Sequence, residues 1–126
     1  MPGDSDTEDR ATAILKIIFK SYKMSTQNLE RCIAACEACA TACEDCANNC
    51  KGHPEMEQCE KLCRACAEAC RKCAEECRNA SSKSAQECAE ACRVCAEECE
   101  KHDDAHCKRC AEECRKCEAE CREVAA

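Results

Sequence analysis

The spacing of the cysteines constrains the fold of this chain more than any other feature of its sequence. Of the 126 residues, 21 are cysteine, and they form four runs in which successive cysteines are three or four residues apart. Steps that average about 3.5 residues place every cysteine of a run on one stripe of an α-helix, at the core-facing positions of a heptad. Each run therefore predicts one helix with a thiol-lined face.

The cysteines of these runs are the candidate metal ligands of the chain. In order they are Cys32, Cys36, Cys39, Cys43, Cys46 and Cys50; Cys59, Cys63, Cys66, Cys70, Cys73 and Cys77; Cys88, Cys92, Cys95 and Cys99; and Cys107, Cys110, Cys114, Cys117 and Cys121. The residues between them are mostly Ala, Glu, Lys and Arg, which favour helix. Gly and Pro, which disrupt helices, do not occur inside any run.

Residues typical of helix ends separate the four runs. Residues 52–54 (GHP) follow the first run, 79–84 (NASSKS) the second and 101–105 (KHDDA) the third. Ser84 and Glu87 have the spacing of a capping box, which predicts a side-chain cap at the start of the third cysteine helix. Because the connections are short, the sequence predicts an all-α fold, an up-down-up-down four-helix bundle with a cysteine-lined core.

Residues 1–26 contain no cysteine and differ from the remainder of the chain. They hold the apolar stretch AILKIIF, for which we expect a helix from about Thr7 to Tyr22. This helix could be continuous with the first cysteine helix, because the spacing of three and four residues runs back through Leu29, Ser25 and Tyr22, or it could break near residues 24–26; a break is favoured. We therefore divide the chain into an N-terminal extension, residues 1–26, and a cysteine-lined bundle, residues 27–126. The extension is expected to act in packing, as a plug or an oligomer contact. The apolar stretch AILKIIF is too short for a membrane span, which needs about 20 apolar residues.

Charge and signals favour a cytoplasmic protein without nucleic-acid or membrane partners. The 19 basic and 26 acidic residues give a net charge of −7, whereas a nucleic-acid binder would present a basic stripe. The charges alternate in sign, as expected of solvated helix faces with ion pairs one turn apart. The acidic N-terminus does not resemble a secretory signal. In the cytosol thiols are kept reduced, so the cysteines are not expected to form a disulfide scaffold.

The core of such a bundle has to consist largely of cysteine. Once Cys and Ala are set aside, only 14 bulky apolar side chains remain in the chain. Three roles could explain the cysteine stripes: disulfides, small hydrophobic side chains, or metal ligands. Neighbours on one helix face have Cβ atoms about 5–6 Å apart, too far for an unstrained disulfide. Ala, Leu and Val would fill a core without the chemical reactivity of thiols, so metal coordination is favoured.

The number of thiols favours Cu(I) over other soft metals. Tetrahedral zinc uses four ligands, and five Zn²⁺ ions would leave roughly eleven thiolate charges uncompensated in the core. A monovalent Cu(I) ion held by bridging thiolates gives about one copper per cysteine and a core close to neutral. The cysteine spacing of ferredoxins does not occur. The sequence thus predicts multiple Cu(I) ions as the bound metal.

The histidines are predicted to collect at one end of the bundle. His53, His102 and His106 all lie in the first and third connections, which share an end in an up-down-up-down bundle, and Met56 lies beside them. We select His102 and His106 as further candidate copper ligands, and leave open whether His53 and Met56 bind metal. This end is predicted to be the opening for copper, and the other end to be sealed by apolar residues.

These runs resemble the cytosolic copper storage proteins of bacteria. The resemblance rests on CxxxCxxC repeats such as CIAACEACATACEDC (residues 32–46) and on the closing stretch EKHDDAHCKRCAEECRKCEAECREVAA (residues 100–126). It covers about residues 27–126. It implies a four-helix bundle that stores many Cu(I) ions on its inner thiols, an open end at the histidine-bearing loop, and assembly as a homotetramer.

Copper storage is favoured over two other functions, a copper chaperone and a redox enzyme or thiol sensor. A copper chaperone would need one exposed CxxC pair rather than 21 inward thiols. A redox enzyme or thiol sensor would need a second catalytic constellation, and the sequence has no Ser/His/Asp set, phosphate-binding glycine loop or cofactor motif. We therefore expect a protein that stores Cu(I) and is not an enzyme.

Overall fold

The protein consists of four helices in the computed structural model, which describes the backbone of residues 2–125 and the side chains of residues 26–125. The helices are α1 (Pro2–Cys50), α2 (Glu57–Arg78), α3 (Ala85–Cys99) and α4 (Ala105–Ala125), with one 3₁₀ turn, Pro54–Met56, before α2. Within residues 2–125 there is no strand. The predicted all-α fold is confirmed.

The four helices form an antiparallel bundle in which each helix packs against its neighbours in the chain and α4 packs against α1. The thiol of Cys32, near one end of the packed part of α1, meets Cys121 near the end of α4. Further along α1, Cys43 meets Cys110, which lies earlier in α4. Numbers rise along one helix as they fall along the other, so the predicted up-down-up-down order is confirmed.

The connection between α1 and α2 follows the expected glycine-and-proline pattern. Gly52 has a φ of 84°, in the left-handed region where a residue with a Cβ atom is strained. The amide of His53 then donates to the carbonyl of Cys50 at 3.1 Å. Pro54 starts the short 3₁₀ turn, a position where its missing N–H is not needed. These residues end α1 and start α2 within a few positions of each other.

The end of α2 is formed without glycine. Ala80 has a φ of 59°, and the amide of Ser81 donates to the carbonyl of Glu76 at 2.8 Å, as in a Schellman cap. An L-residue in this conformation costs about 1–2 kcal/mol. The connection from residue 79 to residue 84 returns the chain to α3 at the end of the bundle opposite the histidines.

The capping box predicted at Ser84 and Glu87 is wrong. Ser84 precedes α3, but its side chain makes no capping hydrogen bond, and its backbone has φ −92° and ψ 0° rather than extended angles. A turn causes the difference, because the amide of Ala85 donates to the carbonyl of Ser82 and winds the chain before α3 begins. In that conformation the Ser84 side chain is buried instead of turned toward the helix amides.

The break predicted near residues 24–26 is also wrong, because α1 is one continuous helix of 49 residues. The three-and-four spacing that starts at Cys32 runs backward through Leu29 and Ser25, so nothing in the local pattern requires the helix to end. The expected packing role of the apolar stretch falls on side chains outside the described residues. The division into residues 1–26 and 27–126 remains a prediction.

The core of the bundle is made of cysteine and alanine. All 21 cysteines are buried, and only Cys77, at 3%, has any exposed surface. Small alanines such as Ala47, Ala89 and Ala96 are fully buried beside them and allow the helices to approach closely. Leu29, Ile33 and Val124 are partly buried against this core. Within the described part of the chain, no helix is long and apolar enough to cross a membrane.

Candidate metal centre

The thiols of α1 and α4 face each other in a regular series along the bundle. The Sγ–Sγ distances are 3.6 Å for Cys32–Cys121, Cys36–Cys117, Cys39–Cys114 and Cys43–Cys110, and 3.8 Å for Cys46–Cys107. The two heptad patterns have the same steps in opposite directions, and each of the five cysteines of α4 therefore has a partner on α1. The series follows directly from the spacing in the sequence.

A second series joins α2 and α3. Its Sγ–Sγ distances are 3.7 Å for Cys59–Cys99, Cys63–Cys95 and Cys66–Cys92, and 3.8 Å for Cys70–Cys88. The register places Ala85 of α3 opposite Cys73, so α3 contributes no thiol beyond Cys88. The last layer at that end contains cysteines of α1, α2 and α4 only.

The two series merge into one column of sulfur along the bundle axis. Diagonal contacts such as Cys63–Cys110, at 3.7 Å, and Cys70–Cys117, at 3.8 Å, connect α2 with α4. Many thiols form groups whose Sγ atoms all lie within 4.8 Å of one another. They include Cys32, Cys36, Cys73 and Cys121; Cys36, Cys88, Cys117 and Cys121; Cys39, Cys70, Cys92 and Cys117; Cys39, Cys43, Cys66 and Cys114; and Cys43, Cys95, Cys110 and Cys114.

Adjacent groups in this column share members. Cys39, for example, belongs to one group with Cys70 and to another with Cys43. A shared thiolate can bridge two metal ions, so the arrangement suits a polynuclear metal–thiolate cluster better than separate tetrahedral sites. Thiolates are soft ligands and select soft metals such as Cu(I).

The cysteines are free thiols and not disulfides. The closest Sγ–Sγ distances are 3.6 Å, whereas a disulfide bond measures about 2.05 Å. A metal inserted between two sulfurs, with metal–sulfur bonds of about 2.3 Å as in zinc sites, would need the sulfurs about 4.6 Å apart. The observed spacing is within about 1 Å of that value, so small side-chain adjustments would admit an ion.

Burial raises the pKa of one thiol at each end of the column. Loss of contact with water raises the pKa of Cys107, near the histidines, to about 11. The same effect raises the pKa of Cys77, at the opposite end, to about 12. A charged thiolate is poorly solvated in this interior, so each metal ion has to displace protons when it binds.

His106 lies directly against the sulfur column. Its Nδ1 atom is 3.2 Å from Sγ of Cys46 and 3.5 Å from Sγ of Cys107. Its Nε2 atom is 3.5 Å from a carboxylate oxygen of Asp104, and the side chain is 19% exposed. The partly exposed imidazole therefore reaches from solvent to two thiols of the column. The structure brings this predicted site residue together with the cysteines.

His102 lies at the same end but meets a carboxylate rather than a thiol. Its Nε2 atom is 3.0 Å from Oε2 of Glu98, one helical turn earlier, and the imidazole is 20% exposed. The hydrogen bond with His102 lowers the pKa of Glu98, which keeps this carboxyl group ionised. His102 is thus placed at the opening, without a described contact between its ring and a thiol.

The remaining two residues of this end differ from each other. The side chain of His53 is 60% exposed, with Nδ1 at 3.6 Å from Glu55. Met56 is buried and belongs to the same core cluster as the cysteines. The structure thus separates an exposed histidine from a buried thioether. Whether either binds metal remains open, and the full ligand set of cysteines with His102 and His106 remains a prediction.

Known proteins match this arrangement. The family model described as copper storage protein matches residues 25–126. The chain belongs to the copper storage protein family. A comparison with curated protein sequences gave no match.

Solved structures of copper storage proteins share the fold. A cytosolic copper storage protein from Streptomyces lividans, solved with five coppers, is 32% identical, with a TM-score of 0.75 over 81% of this chain and 95% of that chain. The Cu(I)-bound copper storage protein BsCsp3 is 34% identical, with a TM-score of 0.74 over 79% of this chain and 99% of that one. The apo copper storage protein 3 from Bacillus subtilis is 37% identical, with a TM-score of 0.72 over 77% and 98%.

Glu98 is a residue of this end that the sequence pattern did not reveal. It is one of many glutamates on the helices, and most of these pair with Arg or Lys on exposed faces, as Glu60 does with Arg64. The signal that could have identified it is the spacing of four residues between Glu98 and His102, which places both on the same helix face.

Proposed function

We propose that this protein stores Cu(I) on the thiolates of its interior, with about one copper per cysteine. The observation that carries the proposal is the continuous column of 21 buried free thiols in overlapping groups. Family membership and the copper-bound relatives support the same conclusion.

Charge balance favours a monovalent ion in this column. The core residues are cysteines, alanines and Met56, with Ser84 as the one buried polar residue of the described part of the chain, so no buried Lys or Arg neutralises thiolates there. One Cu(I) for each thiolate leaves the interior close to neutral, whereas an unpaired charge in such an interior is costly. A filling near one copper per cysteine is therefore also the electrostatically favoured one.

Copper enters at the histidine end in this proposal. Nδ1 of His106 contacts Cys46 and Cys107, two thiols at this end of the column. Because imidazole nitrogen binds copper, the ring can receive the ion and pass it to those thiols. At the other end Leu29, Ile33 and Val124 cover the thiols and offer no such ligand.

We further propose that the protein works in the cytosol, as a homotetramer and without enzymatic activity. One relative is described as cytosolic, and reduced thiols are maintained in that compartment. The tetramer follows from the family resemblance. All 21 buried free thiols are used in storage in this proposal.

The proposal is tested by titrating the reduced protein with Cu(I) in the presence of a Cu(I)-specific chelator. We expect the protein to compete until about one copper per cysteine is bound, and native mass spectrometry to show the same number for each subunit of a tetramer. Saturation at one or a few coppers would contradict storage and favour a chaperone.

A variant with the column interrupted provides the matched control. Replacing Cys39 and Cys114 with Ser removes two neighbouring thiols that face each other at 3.6 Å in the middle of the bundle. We expect the capacity to fall by about two coppers if thiolates set it. An unchanged capacity would show that copper binds elsewhere.

A further inference from the structure

We propose that Glu98 is a positioning residue for copper uptake, because it holds His102 in the tautomer whose Nδ1 atom is free to bind Cu(I). The proposal deepens the storage function and rests on it for its kinetic part. In His106 the same ring nitrogen, Nε2, lies 3.5 Å from a carboxylate oxygen of Asp104.

The geometry defines the tautomer. An ionised carboxylate can only accept hydrogen bonds, so at 3.0 Å from Oε2 of Glu98 the Nε2 atom of His102 has to carry the proton. A neutral imidazole has one N–H, and its other nitrogen is an acceptor with a lone pair. Nδ1 of His102 is therefore the nitrogen available to a metal ion.

Glu98 is held in place for this task. Its side chain is only 13% exposed, less than that of its neighbour Glu97, at 52%. Lys101 approaches its other oxygen, Oε1, at 3.3 Å. One oxygen thus serves the lysine and the other the histidine, which fixes the carboxylate while leaving His102 as the partner of Oε2.

His106 shows a similar arrangement, in which Nε2 is near a carboxylate and Nδ1 is in contact with a thiol. Its Nε2 atom faces Oδ2 of Asp104 at 3.5 Å, while Nδ1 lies 3.2 Å from Sγ of Cys46. Nδ1 is thus the ring nitrogen of His106 that faces the sulfur column, and Nε2 is the one that faces the carboxylate. Both histidines therefore have a carboxylate near Nε2, and Nδ1 is the nitrogen left for a metal ion.

The described contacts of the Glu98 side chain are with Lys101 and His102. Most glutamates of the helices pair with Arg or Lys across exposed faces, where such pairs add little stability. Glu98 also pairs with Lys101, but its second oxygen contacts a histidine at the end of the sulfur column. Outer carboxylates of this kind orient metal-binding histidines and set their tautomer in many metal sites.

The first experiment needs no copper. Long-range ¹H–¹⁵N correlation spectra of the metal-free protein report which nitrogen of each histidine carries the proton. We expect His102 to be almost entirely protonated at Nε2, and to become a mixture of tautomers in Glu98→Ala. A predominant Nδ1–H form in the unaltered protein would overturn the proposal, whether or not the protein stores copper.

The second experiment measures the rate of Cu(I) uptake from a chelator by stopped flow. We expect Glu98→Ala to slow uptake about tenfold, the lower end of the range for outer-shell partners. Glu98→Gln should recover most of the rate, because its amide oxygen can still accept the Nε2 proton. Glu97→Ala removes the same charge from the preceding residue, which accepts a hydrogen bond from Arg93, and should leave the rate of copper uptake unchanged.

A double variant distinguishes positioning from a simple charge effect. In a His102→Ala background the Glu98→Ala change should have no additional effect on uptake, because the ring it positions is gone. An equal slowing in both backgrounds, or the same rate for Glu98→Ala and the unaltered protein, would overturn the proposal. Failure of the storage function would be recognised separately, as a low copper capacity in every variant.

Discussion

At the histidine end of the bundle the sulfur column continues into nitrogen ligands, whereas at the opposite end it stops against aliphatic side chains. Nδ1 of His106 touches the thiol of Cys46 at 3.2 Å, and the ring is partly exposed. At the other end Cys32 and Cys121 meet at 3.6 Å and are completely buried, with Leu29 and Val124 packed against the core. Among the described residues, the column therefore meets candidate nitrogen ligands at one end and aliphatic side chains at the other.

The difference shows how a repetitive sequence acquires a direction. The cysteine stripes are nearly symmetrical along the bundle, and thiols at both ends have pKa values raised by burial. The direction comes from the residues that continue the stripes. His102 follows Cys99 at the next three-residue step, while Ala85 occupies the corresponding position before Cys88. The histidine adds a candidate ligand at one end of the column, whereas the alanine leaves the last layer at the other end without a thiol from α3.

Removing both partly buried histidines is expected to change the rate of copper uptake more than any other variant. In His102→Ala/His106→Ala the thiols at the opening lose the imidazoles that receive copper, so we expect Cu(I) uptake to slow about tenfold to a hundredfold, the range for altered metal-site shells. The capacity should remain nearly the same because all 21 cysteines are retained. Stopped-flow uptake and an end-point titration measure the two quantities.

His53→Ala is the matched control for that variant. His53 belongs to the same end of the bundle, but its side chain is 60% exposed and its described contact is with Glu55. We expect neither rate nor capacity to change. If the double variant took up copper at the normal rate, the two ends would be equivalent for uptake, and the histidines would be ordinary solvated side chains.

The cysteine pattern predicted most of the fold because each step of three or four residues constrains one helix face. It also predicted the antiparallel thiol pairs, since equal spacings on opposed helices bring partners such as Cys39 and Cys114 together. The continuity of α1 could not be read from the sequence in the same way. A helix of good propensity continues or ends according to tertiary contacts, and the residues at positions 24–26 permit either.

The candidate site was predicted in part. His106 beside the thiols follows from its place one residue before Cys107. The carboxylate at His102 was missed, because the sequence offers many glutamates and only the packing decides that Glu98 is 13% exposed. The same reason explains the missing cap at Ser84, where a turn formed by Ser82 and Ala85 turned the hydroxyl away from the helix amides.

Proton release tests whether the two ends differ in chemistry or only in access. Burial raises the pKa of Cys107 to about 11 and that of Cys77 to about 12, so at pH 6–8 both are protonated in the metal-free protein. Copper binds the thiolate, and we therefore expect about one proton released per cysteine from the first copper to the last. Lowering the pH by one unit should weaken binding about tenfold per proton released.

A titration in weakly buffered solution with a pH indicator measures the protons released at each copper equivalent. A constant slope throughout the titration would mean that the ends differ in access alone. A low proton count for the first coppers would show that thiolates already exist near the histidines, and the comparison would then have to include the charge state of the thiols.

The smallest expected effect concerns the covered end. Leu29 is partly buried against the core, so Leu29→Ala should lower the free energy of unfolding of the metal-free protein by about 1–2 kcal/mol, less than for a fully buried leucine. Chemical denaturation measures this value, and Glu30→Ala, at the exposed neighbouring position, is the control. The rate of copper uptake should not change if copper enters at the histidines, as we propose. Faster uptake by Leu29→Ala would mean that the aliphatic cover is a barrier to copper and that the closed end is closed by packing rather than by the absence of ligands.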